Sequence, residues 1–104
     1  MAEEFDTVIM ELIVNAGDAR NMAIEAVRLA RDGKWEEADQ RMKDCEAALI
    51  AAHSSQTDLI QGELNGKPVP VTLLMVHAQD HLMNALTVKD LSKELIAIMK
   101  KEKI

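Results

Sequence analysis

The chain has 104 residues, 12 Lys+Arg against 18 Asp+Glu, and a formal charge of −6. Aromatics make up only 2% of it, with four Gly and two Pro, so the strands and many turns of a β-sandwich or barrel lack their usual residues. The acidic balance and the lack of stacking surfaces argue against nucleic-acid binding, and one cysteine, Cys45, excludes an intramolecular disulfide.

The N-terminus, Met1-Ala2-Glu3-Glu4, is acidic and has no apolar h-region, so no signal peptide is expected. No uncharged apolar run approaches the ~20 residues that span a bilayer. These features predict a soluble, cytoplasmic protein. A core of Ala, Leu, Ile, Val and Met predicts a single all-α domain over residues 1–104.

Two breaks divide the chain. Asp32-Gly33 reads as a helix stop and restart, and the stretch from Gly62 to Pro70 holds two Gly and both Pro. Three helical segments are predicted, at about 5–32, 35–62 and 70–101. In the first, apolar residues at 5, 8, 9, 12, 13, 16, 19, 22, 23, 26, 27 and 30 follow helical spacing. Gly17 interrupts that pattern and predicts a kink or short break near Asn15–Asp18. Phe5 and Trp35 sit near helix starts.

In the second segment Trp35, Ala38, Met42, Cys45, Leu49, Ala52, Gln56 and Leu59 alternate steps of three and four. This is a heptad seam, which predicts lengthwise packing against long neighbours. Cys45 is expected as a small buried hydrophobe. Gln56 takes a core position and needs a hydrogen-bonding partner there.

The third segment starts at the prolines, with Pro70 suited to a first helical turn. Residues 71–88 contain no Lys, Arg or Glu, and Asp80 is their one acid. Leu73, Leu74, Met75, Val76, Leu82, Met83, Leu86 and Val88 cover nearly every side. A helix apolar all round is buried all round, and two companion helices cannot cover it. The sequence therefore predicts an antiparallel three-helix bundle that oligomerises with its third helix near the symmetry axis. The cluster Lys100, Lys101 and Lys103 reads as a solvated last turn that complements the helix dipole.

The polar residues of the third segment are grouped. At ~100° per residue, His77, His81 and Asn84 share a narrow sector with Asp80 on its shoulder, and Leu73 and Val88 lie at its two ends. Three readings of this island stand side by side. One is a satisfied core network, with the histidines bonded to Asp80 or to Gln56 and His53. Another is a metal site, since His77 and His81 at i,i+4 can face one ion and Asp80 can join them; however, no His here follows a Glu by three positions, as helical di-iron sites require. The third is nucleophilic, because a neutral imidazole can carry a covalent group while its neighbours orient it. Should the helix line a three-fold axis, three copies of Asp80 would converge and call for a proton or a hard cation such as Mg²⁺.

The stretches ELIVNAGDARNMAIEA (Glu11–Ala26), AAHSSQTDLIQ (Ala51–Gln61) and LLMVHAQDHLM (Leu73–Met83) carry a resemblance that covers nearly the whole chain. Together they resemble the enzyme IIA components of the phosphoenolpyruvate-dependent sugar phosphotransferase system (PTS), in the lactose/cellobiose (N,N′-diacetylchitobiose) branch. The resemblance implies a homotrimer of three-helix subunits with nine helices. It implies a phosphocarrier: His77 accepts a phosphoryl group from the phosphohistidine of HPr and passes it to a cysteine of the sugar-specific IIB component. It further implies that Asp80 binds a Mg²⁺ ion shared by three subunits. His81 and Gln79 are the candidates for holding the phosphoryl oxygens. Arg20 is the nearest thing to a phosphate fork but is assigned to the surface, and His53 is expected to bridge the second and third helices. The alternative is a non-catalytic helical interaction module with a core histidine network.

Overall fold

The computed structural model describes the backbone of residues 2–102 and the side chains of residues 6–102. The expectations for the side chain of Phe5 and for Lys103 lie outside the described residues. Three helices of 30 residues each follow one another: α1 (Ala2–Arg31), α2 (Trp35–Leu64) and α3 (Leu73–Glu102). They lie lengthwise in a rod of 56 × 22 × 19 Å. Helix α1 packs along both of the others, while α2 and α3 meet far less.

The reason lies in the side chains that α1 buries. Ile9, Leu12, Ala16, Ala19, Ala23, Ala26 and Ala30 are all buried and alternate steps of three and four. Five of the seven are alanines, which keep the seam thin and let two helices approach α1 at once. Of the kink or short break expected near Asn15–Asp18, the break is absent: α1 runs unbroken through Gly17. A glycine in a helix interior costs ~1 kcal/mol against Ala. The fully buried Ala16 and Ala19 beside it show why the helix persists, since packing on both flanks outweighs that cost.

The seam predicted for α2 is the one observed. Ala38, Met42, Cys45, Leu49, Ala52 and Gln56 are buried, with Trp35 and Leu59 half-buried at its ends. Both α1 and α2 stop on the same device. Gly33 (φ 79°) donates to the Ala30 carbonyl and Lys34 to that of Leu29. Gly66 (φ 81°) donates to Glu63 and Lys67 to Gly62 in the same way. This is the Schellman arrangement, which needs a residue tolerant of positive φ.

Two boundaries differ from expectation. Gly62 lies inside α2, which continues to Leu64 because its last carbonyls are satisfied by the turn at Gly66. Pro70 precedes α3 and is not part of its first turn. Thr72 is the N-cap instead: its Oγ1 accepts the Met75 amide at 3.1 Å and its carbonyl accepts the Val76 amide at 3.0 Å.

Helix α3 buries Met75, Ala78, Leu82, Ala85 and Ser92 against the rest of the chain. Its opposite face leaves Leu73, Val76, Met83, Leu91, Leu95 and Ile98 exposed, with Leu73 at 86%. The all-round apolar character of this helix is therefore answered on one side only within a single chain. No described helix is long and apolar enough to cross a membrane.

Candidate functional site

The polar island lies on the α1 side of the exposed face of α3. Nε2 of His81 lies 3.0 Å from Nε2 of His77, and the two rings meet edge to face with centroids 4.4 Å apart. One turn of helix separates the residues, so the spacing alone brings the rings together. At this distance one Nε2 carries the shared proton and the other presents its lone pair. His77 is exposed and His81 half-buried.

Beside the pair runs an open groove of ≈ 300 Å³ between α1 and α3, lined by Gly17, Arg20, Asn21, Asp80, His81 and Asn84. It brings His81, Asp80 and Asn84 together, as the helical wheel requires. Arg20, assigned to the surface on sequence grounds, lines the same groove. Sequence reasoning missed this because the relative register of α1 and α3 decides it. Locally, the signal was no more than Gly17, Arg20 and Asn21 falling on one side of α1 at steps of three and four.

Gln79 is not brought to the histidine pair. Two residues after His77, it points ~200° around the helix and faces α2. There its Oε1 accepts a hydrogen bond from Gln56 Nε2 at 2.7 Å, and its own Nε2 lies 3.5 Å from the Met75 sulfur. Its surroundings are the apolar groove of Leu59, Ile60, Val69, Met75 and Val76. The partner that Gln56 required is thus Gln79, and neither histidine takes part. His53, expected to bridge α2 and α3, is exposed and makes no hydrogen bond among the described residues. It lines a separate shallow groove with Ile50, Leu86 and Lys89.

Neither the network nor the metal alternative is met in one chain. The described residues contain no group of three or more His, Cys, Asp or Glu placed to hold a metal ion. Asp80 stands exposed at the groove and is the one acid among the residues that line it. Cys45 is buried in the seam, and burial pushes its thiol above the ordinary range; nearby Lys89 opposes this and Glu46 adds to it.

Residues 7–100 match the family model described as PTS system, lactose/cellobiose-specific IIA subunit. The chain belongs to this family. Among its IIA relatives, it is 46% identical to the lichenan-specific phosphotransferase enzyme IIA component of Bacillus subtilis, over 97% of this chain and 92% of that protein. The crystal structure of the PTS cellobiose-specific enzyme IIA from Bacillus anthracis superposes with a TM-score of 0.88 at 46% identity, covering 91% of this chain and 87% of that one. The IIA chain in the solution structure of the IIA(chitobiose)–HPr complex of Escherichia coli superposes with a TM-score of 0.81 at 38% identity, covering 95% and 96%. The PTS IIA fold thus accounts for the three long helices and their order.

Proposed function

We propose that this IIA chain is the phosphocarrier of a system that takes up a β-linked disaccharide of the cellobiose, chitobiose or lactose type, with His77 as the residue that carries the phosphoryl group. What supports this reading most directly is the His77–His81 pair on an exposed face of α3. When His81 Nε2 is the donor, Nε2 of His77 is held unprotonated, the form of imidazole that attacks phosphorus. His77 displaces the imidazole of phospho-HPr: one P–N bond breaks as another forms. The His81 N–H is then released to donate to a phosphoryl oxygen. In the second half-reaction a cysteine thiolate of the IIB component attacks phosphorus, and His77 leaves with its lone pair restored. Both are in-line transfers governed by positioning and electrostatics.

HPr is the proposed donor because a relative with the same fold forms a complex with it. Leu74, one turn before His77 and exposed, offers an apolar edge that suits docking of two different partners.

The unburied face of α3 supports a homotrimer of nine helices. Leu73, Val76, Asp80, Met83 and Thr87 follow one another at steps of three and four on that face, with Leu91 and Ile98 beyond them. This is the spacing of a helix that meets its own copies along an axis. Asp80 is the one acid in the first part of that seam, so its copies would be drawn together at the axis. Among the described residues a single chain offers no metal site, and the fit to Mg²⁺ depends on one carboxylate from each copy. The ion, when bound, would supply the charge that lets the carboxylates stay ionised together.

The test is incubation with phosphoenolpyruvate, enzyme I and HPr. An acid-labile adduct is expected on the natural chain and none on His77→Ala. No adduct on the natural chain, or an undiminished one on His77→Ala, would instead favour a non-catalytic interaction module.

A further inference from the structure

The groove beside the histidine pair holds a cation that the two transfer steps do not use. Arg20 of α1 lines it together with His81, Asp80 and Asn84 of α3. It is exposed, and among the described residues it takes part in no ion pair. Arg41, by contrast, is held by Glu25 and Asp44. Asp80 lines the same groove without being its partner.

Direction adds to position. Helices α1 and α3 run the same way, since α2 reverses between them. Helical side chains lean toward their N-terminus, so Arg20 leans from the level of His81 and Asn84 toward that of His77. His77 lies one turn before His81, ~6 Å along the axis, within reach of an extended arginine. Gly17, one turn before Arg20, lines the same groove. A Cβ built there meets nothing within 4 Å, so the groove is open above this residue, and only a longer side chain would fill it. Glycine is a poor choice for a helix interior on propensity alone, and a groove that must admit a group accounts for it.

We propose that Arg20 binds the phosphoryl oxygens carried on His77 from across the α1–α3 groove, and that Gly17 keeps the room for them. A guanidinium offers paired N–H donors that match phosphoryl oxygens, and it stays charged throughout. It gives up no proton and forms no bond to phosphorus. It also offsets the like charge of Asp80, which would otherwise oppose a dianion in the same groove. The inference rests on His77 being the phosphoryl carrier.

The full-length chain is assayed with phosphoenolpyruvate, enzyme I and HPr as the natural protein, Arg20→Gln, Arg20→Lys, Gly17→Leu and His77→Ala. Arg20→Gln is expected to accept the phosphoryl group about ten- to a hundredfold more slowly, the range of one lost charge-assisted hydrogen bond. Its melting temperature should stay within a few degrees of the natural chain's, because Arg20 is exposed. Arg20→Lys should recover part of the rate. Gly17→Leu should slow transfer while melting no lower. In the natural chain the Nε–Hε resonance of Arg20 should shift on phosphorylation, and it should stay put in His77→Ala under the same mixture.

A natural rate in Arg20→Gln, or an unmoved Arg20 resonance in the phosphorylated protein, overturns the proposal. So does a defect confined to the KM for HPr, which would make Arg20 a docking residue. A natural rate in Gly17→Leu overturns the role of Gly17. If the natural chain itself takes up no phosphoryl group, the His77 reading fails and this inference falls with it.

Discussion

Gln56 on α2 donates its Nε2 proton to Oε1 of Gln79 on α3 across 2.7 Å, where these two helices otherwise touch little. The bond fits the rotation that the apolar seam gives α3. With Gln79 turned to α2, the wheel places His77 and His81 on the far side, beside α1 and open to partners. The two glutamines are not equivalent, since Gln56 is buried and Gln79 half-buried.

That asymmetry gives a prediction. Gln79→Leu leaves the buried amide of Gln56 with only the weak Met83 sulfur, 3.7 Å away, as acceptor, a loss of about 1–3 kcal/mol. Gln56→Leu leaves Gln79, which water can reach, and should cost less. Urea unfolding midpoints at one fixed protein concentration decide the order. Equal losses, or the reverse order, would show that the pair does not act as described.

The start of α3 rests on the Thr72 hydroxyl. Thr72→Ala should lower stability by ~1 kcal/mol, while Thr72→Ser, which keeps the hydroxyl cap, should leave it unchanged or slightly higher. If the helix were instead organised by Pro70, thermal melts would show no difference between Ala and Ser at position 72.

Cys45 should be inert in the native protein. Burial holds its thiol above the ordinary range, so the thiolate that reacts is scarce at neutral pH and becomes appreciable only under more alkaline conditions. Labelling with a disulfide reagent should be slow at pH 7 and become rapid when urea unfolds the chain. Fast labelling of the folded protein at pH 7 would contradict the buried seam position.

Asp80→Leu should preserve or strengthen self-association. Replacing an acid at the proposed axis with an apolar residue removes like-charge repulsion and any need for a cation. Sedimentation with and without Mg²⁺ is the measurement. A stable monomer of the natural chain at working concentration would remove the trimer. Weaker association of the variant, unaffected by magnesium in either protein, would assign Asp80 a local role.

Sequence and structure divided the work unevenly. Periodicity sufficed for three helices, for the α2 seam from Ala38 to Gln56 and for the grouping of His77, His81 and Asn84, because each depends on angles within one helix. Of the kink or short break expected at Gly17, the break does not occur, and the helix runs on. The local cost there is about 1 kcal/mol, and burial of Ala16 and Ala19 against two neighbours exceeds it. Sequence reasoning failed for Pro70, because the cap depends on which side chain reaches the Met75 amide.

What the sequence by itself determined was the set of helices, their polarity and the sharing of one face by two histidines, all consequences of a fixed rotation per residue. What only the tertiary structure decided was which residues from different helices share a space. Gln79 belongs to Gln56 and not to the histidines, His53 stands apart from the site, and Arg20 joins it. Those pairings follow from the register and rotation of one helix against another, set by how alanine, leucine and methionine side chains interlock along the seams. No spacing within a single helix encodes that.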